Sequence, residues 1–179
     1  MVIIAVEGTT DAEFFQDLLQ HLGIASTQYE FKNFKGKDNI FQLANNHYQA
    51  IEQEQDIIDA LLIAIDADDP KDTCPIRGYH ETDQKIKQLI NDLDFDIPID
   101  YYIFSDQEKQ SGYLESFLLS VLDETQQQCV NEFKSCYQYE LTDKWVFNTF
   151  YKQKQYPFDY NHPNFTDLKN KLQNLFEGI

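Results

Sequence analysis

The stretch "IIAVEGTTDAEFF" at residues 3–15 decides the fold. The run "VIIAVE" at residues 2–7 is apolar and mostly β-branched until its last residue, which predicts a fully buried strand ending on a glutamate. A helix is predicted to follow, with Thr10 as its N-cap, Glu13 completing a capping box and Gly23 ending it. Its apolar side chains recur at helical spacing: Phe14, Phe15, Leu18, Leu19 and Leu22.

A second apolar run, "LLIAIDADDP" at residues 61–70, repeats this pattern. It predicts a buried strand over residues 60–65, followed at once by Asp66, Asp68 and Asp69. Two buried strands that end in acidic residues suggest that both contribute to one site.

The rest of the chain alternates between strands and helices. Further strands are predicted over 28–34 and 99–104, and further helices over 40–51, 81–93, 113–121, 123–136, 142–153 and 165–176. This order predicts an α/β fold: an open, mainly parallel four-stranded sheet of Rossmann-like type flanked by helices, with a helical C-terminal part. We expect one domain over residues 1–179, with a core of about 1–120 and a helical extension of about 121–179.

Composition restricts the classes of function. The 14 basic and 31 acidic residues give a net charge of −17, which repels a phosphate backbone unless cations or a partner reverse the field. No signal peptide and no apolar run of membrane-spanning length is found, so we expect a cytoplasmic protein without membrane contact. Three scattered cysteines favour neither a disulfide framework nor a zinc site.

The carboxyl ends of parallel strands meet at one edge of a sheet, and ligands bind outside that edge. Glu7 and Asp66 should therefore lie near each other, and Gly8 leaves room for a ligand oxygen beside the backbone. Carboxylates crowded in this way repel one another unless a cation neutralises them. Hard oxygen ligands suit Mg²⁺ or Mn²⁺, so Asp66 and Asp68 are expected to bind such a metal.

Four other polar residues near these strand ends can be explained without a role in a site. Asp11 can merely complement the dipole of the first helix, and Asp69 can be a solvated loop residue. Glu115 in "SGYLESFLL" at residues 111–119 can be a surface glutamate. Lys144 in "LTDKWVF" can be a surface lysine, although basic residues are scarce and a lysine there could contact a phosphate.

The pairing of "VEGTTD" with "IAIDADD" resembles the Toprim domain of topoisomerases, primases and OLD-type nucleases, over about residues 1–120. The chain is most similar to OLD nucleases and to small standalone Toprim-like proteins. The resemblance rests on the Glu7–Asp11 spacing and on "GYLESFLL", "DKWVFNTF" and "FKGKDNI". It implies Mg²⁺ or Mn²⁺ held by Glu7, Asp11, Asp66, Asp68 and Glu115, catalytic roles for Glu7 and Lys144, substrate contacts at Gly8 and Lys37, and a lesser candidate in Asp69.

The first expectation for function is thus a metal-dependent phosphodiesterase, a nuclease acting on DNA or RNA. The alternative is a non-catalytic or complex-dependent Toprim module that works with a partner ATPase, since these residues include no ATPase domain. A third class is another α/β phosphotransfer protein with an acidic pocket. It ranks lower because the Asp-x-Asp pattern follows the third strand instead of the first.

Overall fold

Four parallel strands form the centre of the molecule. The computed structural model describes residues 1–106, 108–151 and 158–177. The strands are β1 (Val2–Val6), β2 (Tyr29–Asn33), β3 (Ala60–Asp66) and β4 (Ile99–Phe104). They form one sheet in the order β2-β1-β3-β4, and each neighbouring pair is parallel. The prediction of an open, parallel, four-stranded sheet is confirmed.

Helices connect the strands and make up the C-terminal part. They are α1 (Thr9–His21), α2 (Lys37–Ile40), α3 (Asn46–Gln53), α4 (Tyr79–Leu93), α5 (Leu114–Ser120), α6 (Glu124–Cys136), α7 (Asp143–Phe150) and α8 (Thr166–Phe176). A 3-10 turn, Pro163–Phe165, precedes α8. Within the described residues, no helix combines the length and apolar character needed to cross a membrane. The predicted helical C-terminal part is confirmed, although positions 152–153 of one predicted helix lie outside the described residues.

The structure differs from the predictions at two helix starts. Helix α1 begins at Thr9 with Gly8 as its N-cap, so the predicted capping box of Thr10 and Glu13 is wrong. Asp11 occupies the third helical position and accepts a hydrogen bond from the Gly8 N–H at 2.7 Å, so the N-cap lies two residues earlier than predicted. The helix predicted over 40–51 begins later, at Asn46, because the Asn45 side chain caps the start of α3 and residues 41–45 are not helical.

The sheet has an apolar layer on each face, since successive strand residues point to opposite sides. On one face, Val2, Ile4 and Val6 pack with α1, α5, α7 and α8. On the other face, Ile3 and Ala5 pack with α3 and α4. The C-terminal helices therefore share a core with the first strand and helix.

Phe165 tests this shared core. Its fully buried ring packs edge-on against Phe117 at a centroid distance of 5.1 Å and stacks on Phe14 at 6.3 Å. We expect Phe165→Ala to lower the free energy of unfolding by about 3–5 kcal/mol, in a single thermal transition followed by circular dichroism. The exposed Phe150 is the control, and Phe150→Ala should cost less than about 1 kcal/mol. Two separate transitions in Phe165→Ala would show that the C-terminal helices fold apart from the sheet.

Candidate acidic site at the carboxyl end of the sheet

Glu7 and Asp66 lie together at the carboxyl ends of the two central strands. Glu7 directly follows β1, and Asp66 is the last residue of β3, the neighbour of β1 in the sheet. The Glu7 Oε1 atom accepts a hydrogen bond from the Asp66 backbone N–H at 2.7 Å. Glu7 and Asp66 therefore lie near each other, as the sequence predicts. The Glu7 side chain itself links the two strand ends.

Asp66 in turn fixes the start of α5. Its Oδ1 atom accepts a hydrogen bond from the backbone N–H of Leu114, the first residue of that helix, at 2.8 Å. Glu115 comes next in the chain and is only 3% exposed. No hydrogen bond or ion pair of the Glu115 carboxylate is found within the described part of the chain. The structure thus makes Glu115 a buried carboxylate beside the strand ends, and not a surface glutamate.

Asp11 enters the same site from the first turn of α1. It is 9% exposed, and its Oδ2 atom holds the Gly8 N–H. Asp11 caps the helix and also lies within electrostatic reach of Glu115, so its role as a metal ligand stays a prediction. Asp11 is therefore part of the carboxylate cluster, which we define as Glu7, Asp11, Asp66, Asp68 and Glu115.

Three carboxyl groups of the cluster have raised pKa values. Desolvation is the largest cause, and it raises the pKa of Glu7 to about 8 and that of Asp11 to about 6. Burial likewise raises the pKa of Asp66 well above its ordinary value. Neighbouring carboxylates add to each shift: Asp68 and Asp11 act on Glu7, Glu115 acts on Asp11, and Glu7, Asp11 and Glu115 act on Asp66. All five predicted metal ligands are therefore linked electrostatically.

Lys37 holds the loop that follows β3. Its ammonium group is 5% exposed and donates to the Asp68 carboxylate at 2.8 Å, to the Asp66 carbonyl at 2.8 Å and to the Thr82 hydroxyl at 2.9 Å. It also lies 3.2 Å from the Ala67 carbonyl. The lysine reaches the predicted edge of the sheet, but its donors are used by protein acceptors, so its substrate contact stays a prediction.

A short backbone bridge joins this loop to the loop before α5. The Asp68 N–H donates to the Gly112 carbonyl at 2.8 Å, and the Gly112 N–H donates back at 3.0 Å. Gly112 has a φ of +102°, and a Cβ there would lie 2.5 Å from the Ser116 Oγ atom, so glycine is required. Sequence reasoning missed this bridge, for which the Ser-Gly pair before α5 was the available signal.

Lys144 and Asp69 lie at the margin of the cluster. Lys144, in the first turn of α7, is exposed, and its ammonium group lies 5.9 Å from the centroid of the Tyr113 ring. Its positive charge also lowers the pKa of Asp11, which places it near the acids. The Asp69 carboxylate accepts from the Lys71 N–H at 2.9 Å within its own loop, consistent with its reading as a loop residue. The sequence analysis did not identify Tyr113 as a neighbour of Lys144.

Gly8 has no side chain although the protein leaves space for one. Its φ of −149° is available to any residue. A Cβ at this position would make only an ordinary contact, 3.6 Å from the Asp11 Oδ2 atom. The free space beside Gly8 lies at the carboxylate cluster, where a ligand atom could approach the backbone.

The donor set suits a hard divalent cation. Carboxylate oxygens removed from water and crowded together are the ligands that Mg²⁺ and Mn²⁺ prefer. No group of three or more acidic, histidine or cysteine side chains is placed to hold a metal ion in residues 1–106, 108–151 and 158–177. Glu7, Asp11 and Asp66 each accept a hydrogen bond from a backbone N–H with one carboxylate oxygen. The chemistry of these donors fits a hard metal, whereas their arrangement in the described residues is not that of a formed metal site.

Fold and site together define a class: an α/β protein with a carboxylate cluster at the carboxyl edge of a parallel sheet. The chain belongs to the family described as "Protein of unknown function (DUF3226)", whose family model matches residues 1–157. Neither the search of curated proteins nor the search of solved structures gave a match.

The raised pKa of Glu7 predicts how stability depends on pH. The folded protein holds a proton on Glu7 up to about pH 8, whereas the unfolded chain releases it near 4.5. In EDTA, this contribution to the free energy of unfolding is fully present below about pH 4.5 and is lost as pH rises through about 8. Glu7→Gln keeps a neutral side chain at every pH, so its melting temperature should fall less between pH 5 and pH 8. Equal slopes by circular dichroism would contradict the shift.

Proposed function

We propose that this protein is a metal-dependent phosphodiesterase, a nuclease that cleaves DNA or RNA with Mg²⁺ or Mn²⁺ held by the carboxylate cluster. The observation that carries the proposal is the carboxylate cluster itself, in which Asp11 and Glu115 are 9% and 3% exposed and lie within electrostatic reach of Asp66. A buried carboxylate is costly unless it is paired or binds a cation. A bound divalent cation would supply the missing partner.

The five cluster residues would hold the metal. When bound, a divalent cation stabilises negative charge on a phosphate and lowers the pKa of a water ligand. Glu7 uses Oε1 to hold the Asp66 N–H, which leaves Oε2 as the oxygen that can accept a proton.

Two further residues would act on the phosphate. Lys144 carries an exposed ammonium group near Asp11, where it can stabilise charge that develops on phosphate oxygens. Gly8 leaves space next to Asp11 for a phosphate oxygen to approach the backbone.

A second candidate is a metal-binding module that becomes active only with a partner protein. The net charge of −17 favours this alternative, because most of the surface repels a polyanion. A positively charged partner would remove that repulsion. The two candidates share the metal site and differ in whether the isolated chain cleaves nucleic acid.

Cleavage assays on isolated protein test the proposal. With Mg²⁺ or Mn²⁺, we expect cleavage of labelled DNA or RNA oligonucleotides, and a loss of at least about 100-fold in kcat for Glu7→Gln and Asp11→Asn. Asp17 is the matched control because it lies exposed on the same helix as Asp11. Asp17→Asn should cut at the wild-type rate.

Thermal shifts separate the two candidates. Mg²⁺ should raise the melting temperature of the wild type and of Asp17→Asn, but not that of Asp66→Asn. A shift without cleavage would favour the partner-dependent module. The proposed site would be overturned if Mg²⁺ produced no shift and no cleavage, or if a folded Glu7→Gln variant kept full activity.

Gly8→Ala tests the space beside the backbone. Because the backbone conformation accepts alanine and the added methyl group meets only Asp11, stability should change by less than about 1 kcal/mol. Activity should fall about tenfold or more, since the methyl group occupies the place of a phosphate oxygen. Gly112→Ala is the contrasting variant, and it should destabilise the fold because of its positive φ and the Ser116 contact. Wild-type activity in Gly8→Ala would show that no ligand enters this space.

A further inference from the structure

Lys37 is the one basic residue with a buried side chain in the part of the chain that the structure describes. A buried ammonium group is costly unless hydrogen-bond acceptors surround it. Four oxygen atoms do so here, and we call them the oxygen cage. They are the Asp66 carbonyl at 2.8 Å, the Asp68 Oδ2 atom at 2.8 Å, the Thr82 hydroxyl at 2.9 Å and the Ala67 carbonyl at 3.2 Å from the Lys37 Nζ atom.

The oxygen cage leaves Lys37 no hydrogen-bond donor for a substrate. An ammonium group has three N–H donors, and four oxygens lie within hydrogen-bond distance of this one. Thr82, which contributes its hydroxyl from α4, is fully buried. A contact between Lys37 and a substrate would break at least one of these bonds. The structure therefore favours a role for Lys37 within the protein.

The oxygen cage has the ligand types of a metal site. One carboxylate oxygen, two backbone carbonyls and one hydroxyl are hard oxygen donors, which suit divalent cations such as Mg²⁺ and Mn²⁺. The distances of 2.8–3.2 Å to the Nζ atom are those of N–H···O hydrogen bonds. The protein thus places a side-chain cation among donors that could otherwise bind a metal ion.

This side-chain cation is joined to the carboxylate cluster through Asp68. Lys37 binds the Oδ2 atom of Asp68, which leaves Oδ1 as the oxygen that can bind a metal. The bond also helps to hold Asp68 in its left-handed backbone conformation, with a φ of +64°. Burial raises the pKa of Glu7, and the charge of Lys37 opposes that shift, so Lys37 lies within electrostatic reach of a second member of the cluster.

We propose that Lys37 is a built-in cation of the carboxylate cluster that takes the place of a second metal ion, so that the cluster binds one divalent cation per chain. A site for two divalent cations must offer oxygen donors to both, and the donors beside Asp68 already bind the ammonium group. Lys37 is thus a positioning residue that acts through Asp68. The count of one rests on the proposed function, whereas the oxygen cage does not.

The number of bound metal ions tests this role. Titration with Mn²⁺, with the free ion measured by electron paramagnetic resonance, should show one bound ion per wild-type chain at saturation. Lys37→Ala empties the oxygen cage, whose donors should then bind a second Mn²⁺. Lys37→Met, which removes the charge and keeps most of the apolar stem, takes its place if the alanine variant does not fold. A purely structural lysine would change stability and not the number of bound ions.

Lys35→Ala is the matched control for the metal titration. Lys35 lies two residues before Lys37, is exposed and contributes no atom to the bonds of the oxygen cage. This variant should bind one Mn²⁺, as the wild type does. Circular dichroism checks that each variant is folded.

The oxygen cage can also be tested without a divalent metal. In EDTA, Lys37→Ala should melt at a lower temperature than the wild type, and n-propylammonium should restore part of the loss by binding in the empty cage. We expect its melting temperature to rise by about 2–4 °C relative to that in tetramethylammonium at equal ionic strength, because tetramethylammonium has no N–H donor. The wild type and Lys35→Ala should show no such difference.

The outcomes separate this inference from the proposed function. Two Mn²⁺ ions bound to the wild type, or one bound to the folded lysine variant, would overturn the inference and leave the proposed nuclease standing. Equal melting temperatures of Lys37→Ala in the two ammonium ions would also overturn it. One ion in the wild type and two in the variant support it even if the wild type cleaves no nucleic acid. A wild type that binds no Mn²⁺ would overturn both.

Discussion

The hydrogen bond from the Asp66 backbone N–H to the Glu7 carboxylate is the contact on which the site depends. It joins the ends of β1 and β3. The Asp66 carboxylate in turn accepts a hydrogen bond from the Leu114 N–H, which ties the end of β3 to the start of α5. Two acidic side chains thus fix the relative positions of two strands and a helix. Glu115 lies in the site because Leu114 is held there.

This arrangement has an electrostatic cost that the fold offsets only in part. Lys37 neutralises Asp68 and binds the carbonyl of Asp66, so the loop after β3 has a buried counter-charge. The Glu115 carboxylate has no such partner within the described residues. Removal from water raises the pKa of Glu7, Asp11 and Asp66, so these carboxyl groups hold protons at pH values where carboxylates are normally ionised, and a divalent cation could replace those protons.

Helix α7 connects the core with the acidic site. Val146 and Phe147 are buried in the core that includes β1, while Lys144 and Trp145 on the same helix are exposed. The packing of the inward pair therefore sets the direction of the outward pair. The position of the Lys144 cation beside the carboxylates follows from this helix orientation.

The sequence by itself determined the four strands, most of the helices and the acids at the strand ends, because hydrophobic periodicity and strand-end position are local properties. It did not determine the starts of α3 and α1, where the capping side chains of Asn45 and Asp11 decide the boundary. Only the tertiary structure decided the strand order, the burial of Glu115 and the partners of Lys37. These depend on residues far apart in the chain, such as Glu7 and Asp66, which meet only when parallel strands align their carboxyl ends.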